Sequence, residues 1–259
     1  MKKIIILGTD GQIGSYLYDK LSKNFSIIGT SRRESSKHCH VDFASRKSII
    51  NFLNDNANDN IYAIINCYGL QQPIQNFINT NFDSWEKNIT VNFNNYSFFL
   101  HHLINSKIHS LRKILSFSGG GVTGSRKSFS AYAVSKISIY KLSEILADEL
   151  KEFNIDVNVI APGVISSKMT KEIVNEGSNL GDEYNKALDT LKNGGDNLDN
   201  VFELCNFLLS NESNGISGKL IAAQWDSFDV IKKLLKNEKN LFSLRRIDNK
   251  YFYENKEAE

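Results

Sequence analysis

In SFSAYAVSK, residues 128–136, Tyr132 stands four positions before Lys136, so the two side chains share one face of a helix. A phenol titrates at about 10 in water, too high to exchange protons readily at neutral pH. An ammonium group one turn away favours the phenolate and brings proton transfer within reach. The same spacing recurs in YLYDK, at Tyr16 and Lys20. Spacing alone therefore does not separate chemistry from packing, and the elements around each pair must decide.

Apolar runs of strand type recur at 2–7, 25–30, 61–66, 112–118, 155–161 and 219–224, with helical patterns at 13–23, 44–54, 84–106, 130–153 and 197–210. Parallel strands need crossover connections, so this alternation predicts an α/β fold, a doubly wound parallel sheet with helices on both faces. With 259 residues, 41% of them hydrophobic and 11% aromatic, the chain buries a full core as a single domain. We expect a catalytic body over 1–225 and a C-terminal helical extension over 226–259 packed on the same domain. The polar, glycine-punctuated stretch 170–197 lies after the sixth strand, where such folds bind ligands. It makes 163–196 a candidate substrate lid, the alternative being a plain surface excursion.

IIILGTDGQIGSYLYDKL is a strand, a glycine-rich turn and an amphipathic helix. Gly8, Gly11 and Gly14 suit a turn in which side chains would obstruct the bend, the approach of a pyrophosphate or the packing of helix on sheet. The amides at the helix start, at Gln12 and Ile13, then face the anion. This places Tyr16 and Lys20 on a cofactor-binding helix, where their role is packing and solvation. At the end of the second strand Ser31 is followed by Arg32 and Arg33, with no acid until Glu34. Guanidinium groups suit a 2′-phosphate, so NADP(H) is favoured over NAD(H). In HCHVDF, His38 and His40 share one strand face with Cys39 opposite, which argues against a metal site. Asp42 ends the third strand and, with Phe43, is the candidate adenine contact.

Composition excludes several classes. Lys and Arg number 31 against 29 Asp and Glu, a net charge of +2, and the cations are scattered, so no nucleic-acid footprint is present. The opening MKKIIIL is interrupted by GTDG, too soon for a signal-peptide core or a membrane span, which predicts a cytoplasmic protein with no membrane partner. Three cysteines, Cys39, Cys67 and Cys205, are odd in number and far apart; they fit a reducing compartment and the role of small core residues. The tail pattern KKLLKNEKN reads as a solvated helix face.

Six features occur in order: the glycine turn, NCYG (Asn66–Gly69) after the fourth strand, Asn92 in the next helix, Ser118 fourteen residues before Tyr132, the Tyr132/Lys136 pair, and APGVISSKM after the sixth strand. In these the chain resembles the short-chain dehydrogenase/reductase family, in its compact single-domain branch with a Rossmann-type sheet. SGGGVTG, FSAYAVSK, VNVIAPG, GISGKLIAAQWD and SLRRI are similar to a subgroup met among sugar-modifying enzymes of bacterial surface polysaccharides. The resemblance implies hydride transfer between nicotinamide and a ketone or secondary alcohol, with a keto-sugar or nucleotide-linked sugar as candidate substrate. It makes Tyr132 the acid/base and gives Lys136 the nicotinamide ribose. Ser118 orients the substrate oxygen and stabilises charge there, while Asn92 supports a water in a proton relay through Lys136. Asn66 and Gly69 border the adenosine side; Pro162, Gly163, Ile165 and Ser167 hold the carboxamide end. It also implies a homodimer or homotetramer through helices 84–106 and 130–153.

The chain departs from the family at three places. Its G-x-x-G-x-x-G spacing is more usual in the longer branch. Tyr68 replaces a usual alanine, which reshapes the floor of the cofactor site. Trp225 onward does not match the usual short ending, and Trp225 and Phe228 either lean over the pocket or, the preferred reading, anchor the tail. Two other functions fit parts of the pattern: a cofactor-binding sensor or scaffold without turnover, and an epimerase or dehydratase that uses the nicotinamide transiently.

Overall fold

In the computed structural model, which describes residues 1–33, 37–234 and 241–245, the strand side chains divide between two cores. Ile5 and Leu7 of β1 (Lys3–Leu7) enter one, Ile4 and Ile6 the other, and all four are fully buried. Burial on both faces is the reason these strands read as continuous apolar runs. The remaining strands are β2 (Ser26–Ser31), β3 (Cys39–His40), β4 (Ile61–Asn66), β5 (Lys113–Phe117), β6 (Asp156–Ala161) and β7 (Lys219–Ala222). They pair in parallel in the order β3-β2-β1-β4-β5-β6-β7.

The first core is closed by α2 (Arg46–Asp55), α4 (Asn95–Lys107) and α5 (Ser130–Glu149), through Ile49 and Phe52, Phe99 and Leu103, and Ile139. The second is closed by α1 (Gln12–Leu21) and α8 (Leu198–Leu209), through Leu17, Leu21, Val201 and Leu204. The expected doubly wound sheet, covered on both faces in one domain, is therefore the observed one. Because β1 lies between β2 and β4, the chain reverses direction across the sheet there, and a crevice opens beyond the carboxyl ends of these strands.

Several local expectations are corrected. The helix expected over 84–106 comprises α3 (Phe82–Ile89), a π turn over Thr90–Asn94, and α4. The helix expected to reach 153 ends at Glu149 and continues as a short 3-10 turn, Lys151–Phe153. The third strand ends at His40, two residues before Asp42. The stretch 170–197 holds two helices, α6 (Lys168–Glu176) and α7 (Asp182–Asn193). Of the cysteines only Cys205 is a core residue; Cys67 is half-buried and Cys39 exposed.

After β7, α9 (Phe228–Leu234) returns to the body, where Phe228 stacks on Phe207 at 5.3 Å and Ile231 is fully buried. Further on, the Leu220 amide donates to the Phe242 carbonyl at 2.8 Å and the Leu244 amide to the Tyr140 hydroxyl at 3.1 Å. Trp225 is 73% exposed, so Phe228 rather than Trp225 supplies the aromatic anchor. Glu34, most of KKLLKNEKN and the rest of the 226–259 extension lie outside the described residues. Among the described residues no helix is long and apolar enough to cross a membrane.

Candidate active site

The glycine turn is built as its residue types require. Gly8 has φ +81°, and a Cβ there would lie 2.7 Å from the Tyr68 Cβ. A Cβ on Gly14 would strike the Gly8 carbonyl, whereas Gly11, the residue that caps α1, leaves its outer side open. The α1 amides from Gln12 and Ile13 onward begin a helix whose first turn has no intrahelical acceptors. Gln12 is exposed and lines a cavity of about 390 Å³ together with Ile165, Ser167, Lys168, Lys171 and Asp196. The second Tyr/Lys pair is structural, as expected: the Tyr16 hydroxyl and, at 3.0 Å, the Lys20 ammonium both donate to Asp199 at the start of α8.

At the end of β2 the Thr9 amide and hydroxyl donate to the Thr30 carbonyl at 2.9 and 2.8 Å, which seats the turn against this strand. Ser31 is buried; its hydroxyl donates to the Asp10 carboxylate and accepts the Arg33 amide at 2.8 Å. Arg32 and Arg33 are exposed. Asp10 comes to the end of β2 from the neighbouring glycine turn, so nothing in the sequence around Ser31 signals it. The Asp42 amide donates to Ser48 Oγ at 2.9 Å, and one carboxylate oxygen accepts the Ala44 amide at 2.9 Å. Phe43 stacks on Tyr68, ring centroids 4.3 Å apart and planes 19° from parallel. Tyr68 thus extends the first core, and its buried hydroxyl has no hydrogen-bond partner among the described residues.

Tyr132 and Lys136 lie in the first two turns of α5, both buried. Ser118, also buried, follows β5 and is held by its amide donating to the Ile160 carbonyl at 2.9 Å. Next to it is Gly119, at which a Cβ would lie 2.5 Å from Tyr132 Cε1 and 2.7 Å from Cζ. The Ser118-Gly119 strand end therefore rests on the phenol, and only glycine permits that approach. The Lys136 ammonium donates to the Phe117 carbonyl at 3.1 Å and stands 5.8 Å from the centre of the Tyr132 ring. A Cβ at Gly69 would come within 3.3 Å of the Lys136 nitrogen. Gly69 thus lies against Lys136, while Asn66 is buried at the end of β4 and accepts the Tyr68 amide at 3.2 Å.

Electrostatics here correct one expectation. Burial pushes the Tyr132 phenol up, opposed by the Arg126 guanidinium and not by Lys136. Burial likewise brings the Lys136 ammonium down to about 8. The protein alone thus stabilises a protonated phenol, the form a general acid needs, rather than a phenolate. Arg126 lies over the Phe129 ring at 3.7 Å and binds Glu183 of α7 through Nε and Nη2 at 2.8 and 2.6 Å.

Asn92 is in the π turn, and its carboxamide serves the loop after β4: Oδ1 accepts the Leu70 amide at 2.7 Å, and Nδ2 is within 2.7 Å of the Leu70 carbonyl and 3.0 Å of Ser135 Oγ. The side chain positions the loop that carries Gly69. Its contacts are not to Lys136 directly.

The segment after β6 is clasped at its base. Gly163 has φ +89°, and a Cβ there would strike the Asp196 carboxylate. That carboxylate accepts the Val164 amide at 2.6 Å, Ile165 bridges Gly195, and Gln224 Nε2 donates to the Pro162 carbonyl at 2.9 Å. The two ends of the 163–196 excursion are therefore stitched together, with α6 and α7 projecting from the neck. Ser167 caps α6, its hydroxyl accepting the Thr170 amide at 3.4 Å. Met169 of α6 reaches the Gly69 position, 3.6 Å from a Cβ built there.

A family profile described as enoyl-(acyl carrier protein) reductase matches residues 15–224. Over 242 aligned positions the chain is 26% identical to the 3-oxoacyl-[acyl-carrier-protein] reductase FabG of Buchnera aphidicola, covering 85% of this chain and 95% of that one. A shorter match, 42% identical over 59 residues and 23% of each chain, is to the rhamnolipids biosynthesis 3-oxoacyl-[acyl-carrier-protein] reductase of Pseudomonas aeruginosa. Among solved structures, an NAD+-bound xylitol dehydrogenase superposes with a TM-score of 0.75 at 18% identity, over 85% of this chain and 96% of that one.

Proposed function

The chain belongs to the short-chain dehydrogenase/reductase family of NAD(P)-dependent oxidoreductases, and from that premise we propose that it transfers hydride between NADP(H) and a polar ketone or secondary alcohol, a keto-sugar or nucleotide-linked sugar being the preferred class. The observation that carries this reading is the buried Tyr132 phenol set against the Ser118-Gly119 strand end, with Lys136 one turn on. The dinucleotide supplies the hydride. Tyr132 gives its proton to the carbonyl oxygen as the alcohol forms, and takes it back in the reverse direction. Ser118 orients that oxygen and stabilises the charge developing on it. Lys136 holds the nicotinamide ribose, and Asn92 holds the loop beside it.

The residues fit a dinucleotide. The open side of Gly11 and the first turn of α1 suit a pyrophosphate. Arg32 and Arg33 at the end of β2 support the 2′-phosphate form, with Asp42 and Phe43 toward the adenine. Pro162, Gly163, Ile165 and Ser167 take the carboxamide end. Ser167, Lys168, Lys171 and Asp196 in the cavity wall favour a polar substrate over an apolar chain. The relatives' names suggest the second reading, a 3-oxoacyl thioester. We also propose a cytoplasmic homodimer or homotetramer associating through the helices within 82–107 and 130–149. Loss of reduced-nicotinamide absorbance, measured with purified protein against keto-sugars and 3-oxoacyl thioesters, tests the reading. Turnover on keto-sugars supports it, and turnover on thioesters alone replaces it with the second. Activity without net nicotinamide oxidation identifies an epimerase or dehydratase, and cofactor binding without any turnover a sensor.

A further inference from the structure

Three glycines follow Ser118, and each lets a different group come close. Gly119 rests on the Tyr132 ring, a Cβ at Gly120 would lie 3.1 Å from Arg126 Nη1, and a Cβ at Gly121 would lie 2.7 Å from the Ala133 Cβ and 3.3 Å from the Arg126 Cβ. Adjacent glycines thus touch the phenol and the guanidinium. Arg126 is folded back over the Phe129 ring, its side chain 16% exposed, and its Nε and Nη2 are both taken by Glu183 of α7. The other elements around Tyr132 bring few charges. Lys136 of α5 donates to the Phe117 carbonyl, and Cys67 after β4 faces Lys136. Against the start of α5, α3 packs through the Trp85 indole on Ser130 Oγ at 3.1 Å, with Asp83, Glu86 and Lys87 exposed. Arg126 is the charge that acts on the phenol against its burial.

We propose that Arg126 is a positioning residue that links the docking of α7 to the proton state of Tyr132. With α7 docked, Glu183 neutralises the guanidinium, and the buried phenol keeps the proton that carbonyl reduction needs. With α7 displaced, the guanidinium stands unneutralised near the phenol and favours the phenolate, the form that takes a proton in alcohol oxidation. The fold suits this movement. Only Ala187 and Thr190 of α7 are buried, and the excursion that carries it is stitched at its base, so α7 can shift while the sheet stays intact. Glu183 and the phenolate compete for one cation, and the coupling is reciprocal. This rests on the role proposed for Tyr132 above and adds what adjusts it.

Ultraviolet phenolate absorbance, titrated on the alkaline side at pH values where circular dichroism shows the native fold, tests the link. Comparing each full-length protein with the same protein carrying Tyr132→Phe isolates this phenol among the ten tyrosines. Glu183→Gln should lower the Tyr132 pKa by about one unit, a tenfold gain in phenolate at fixed pH, and Arg126→Gln should raise it by a similar amount. Opposite signs from the two ends of one ion pair are decisive, because a merely structural fork would loosen α7 in both variants and move the phenol the same way. Arg126→Lys, which keeps the charge, should bring the titration back toward the parent's. Arg126→Met gives the same comparison should the glutamine variant lose its fold. With NADPH and a keto-sugar, the alkaline limb of kcat/KM for reduction should move in the same two directions. Shifts of one sign in both variants, or none beyond about 0.3 unit in either, overturn the proposal. The absorbance titration needs no substrate, so absence of turnover in the parent chain overturns the function proposed above and leaves this test standing.

Discussion

At the scale of single residues, Lys136 carries the clearest pH signature. Its ammonium titrates at about 8 in the folded chain against 10.5 in the open. Below about 8 both states hold the proton, and the cost of burying the charge is constant. Between these values the unfolded chain binds more protons, so this group's contribution to stability rises with pH and levels off above 10.5. Urea midpoints taken near pH 7.5 and pH 9.5 should therefore rise in the parent chain relative to Lys136→Met; equal movement in both proteins would contradict the assignment. The Tyr132/Lys136 pair itself was legible from residue types and their order. The state of its protons was not, because burial depends on Gly119 and Phe117 closing over α5, a contact between distant parts of the chain. Asp10 was hidden for a similar reason: it is near Ser31 in space and twenty-one residues away in sequence.

At the scale of elements, the strands were legible because their side chains are buried on both faces, and the main helices because each turns an apolar stripe to the sheet. The 163–196 excursion was not read as helical. Its helices bury very little, Thr170 and Ile173 from α6 and Ala187 and Thr190 from α7, so no apolar period stands out. α7 is fastened by a small apolar cluster, in which Ala187 meets Ile74, Phe129 and Ile173, and by the Arg126 fork on Glu183, half-shielded by the Phe129 ring. Glu183→Gln should loosen α7 without touching the reacting residues. We expect faster proteolytic cutting within 163–196 and a KM for the carbonyl substrate raised several-fold, with kcat changed less. Unchanged cutting and an unchanged KM would show that α7 is held by other contacts.

At the scale of the whole molecule, seven strands and two apolar layers fix the crevice, and the ends of β1, β2, β4, β5 and β6 deliver the site to it. The tail after β7 returns to the second layer through Phe228 and Ile231. Removing the half-buried Phe228 ring should cost roughly 1–2 kcal/mol, below the about 3–5 kcal/mol typical of a fully buried phenylalanine. Denaturant midpoints of Phe228→Ala would show it, and an unshifted midpoint would mean that the tail adds nothing to the body. The central proposal is proton transfer from Tyr132 coupled to hydride transfer. Its most direct test is Tyr132→Phe, which keeps the ring in the core and removes only the hydroxyl: turnover with a carbonyl substrate should fall at least a hundredfold while the dissociation constant for the reduced dinucleotide stays within about twofold, and turnover retained near the parental rate would contradict the account.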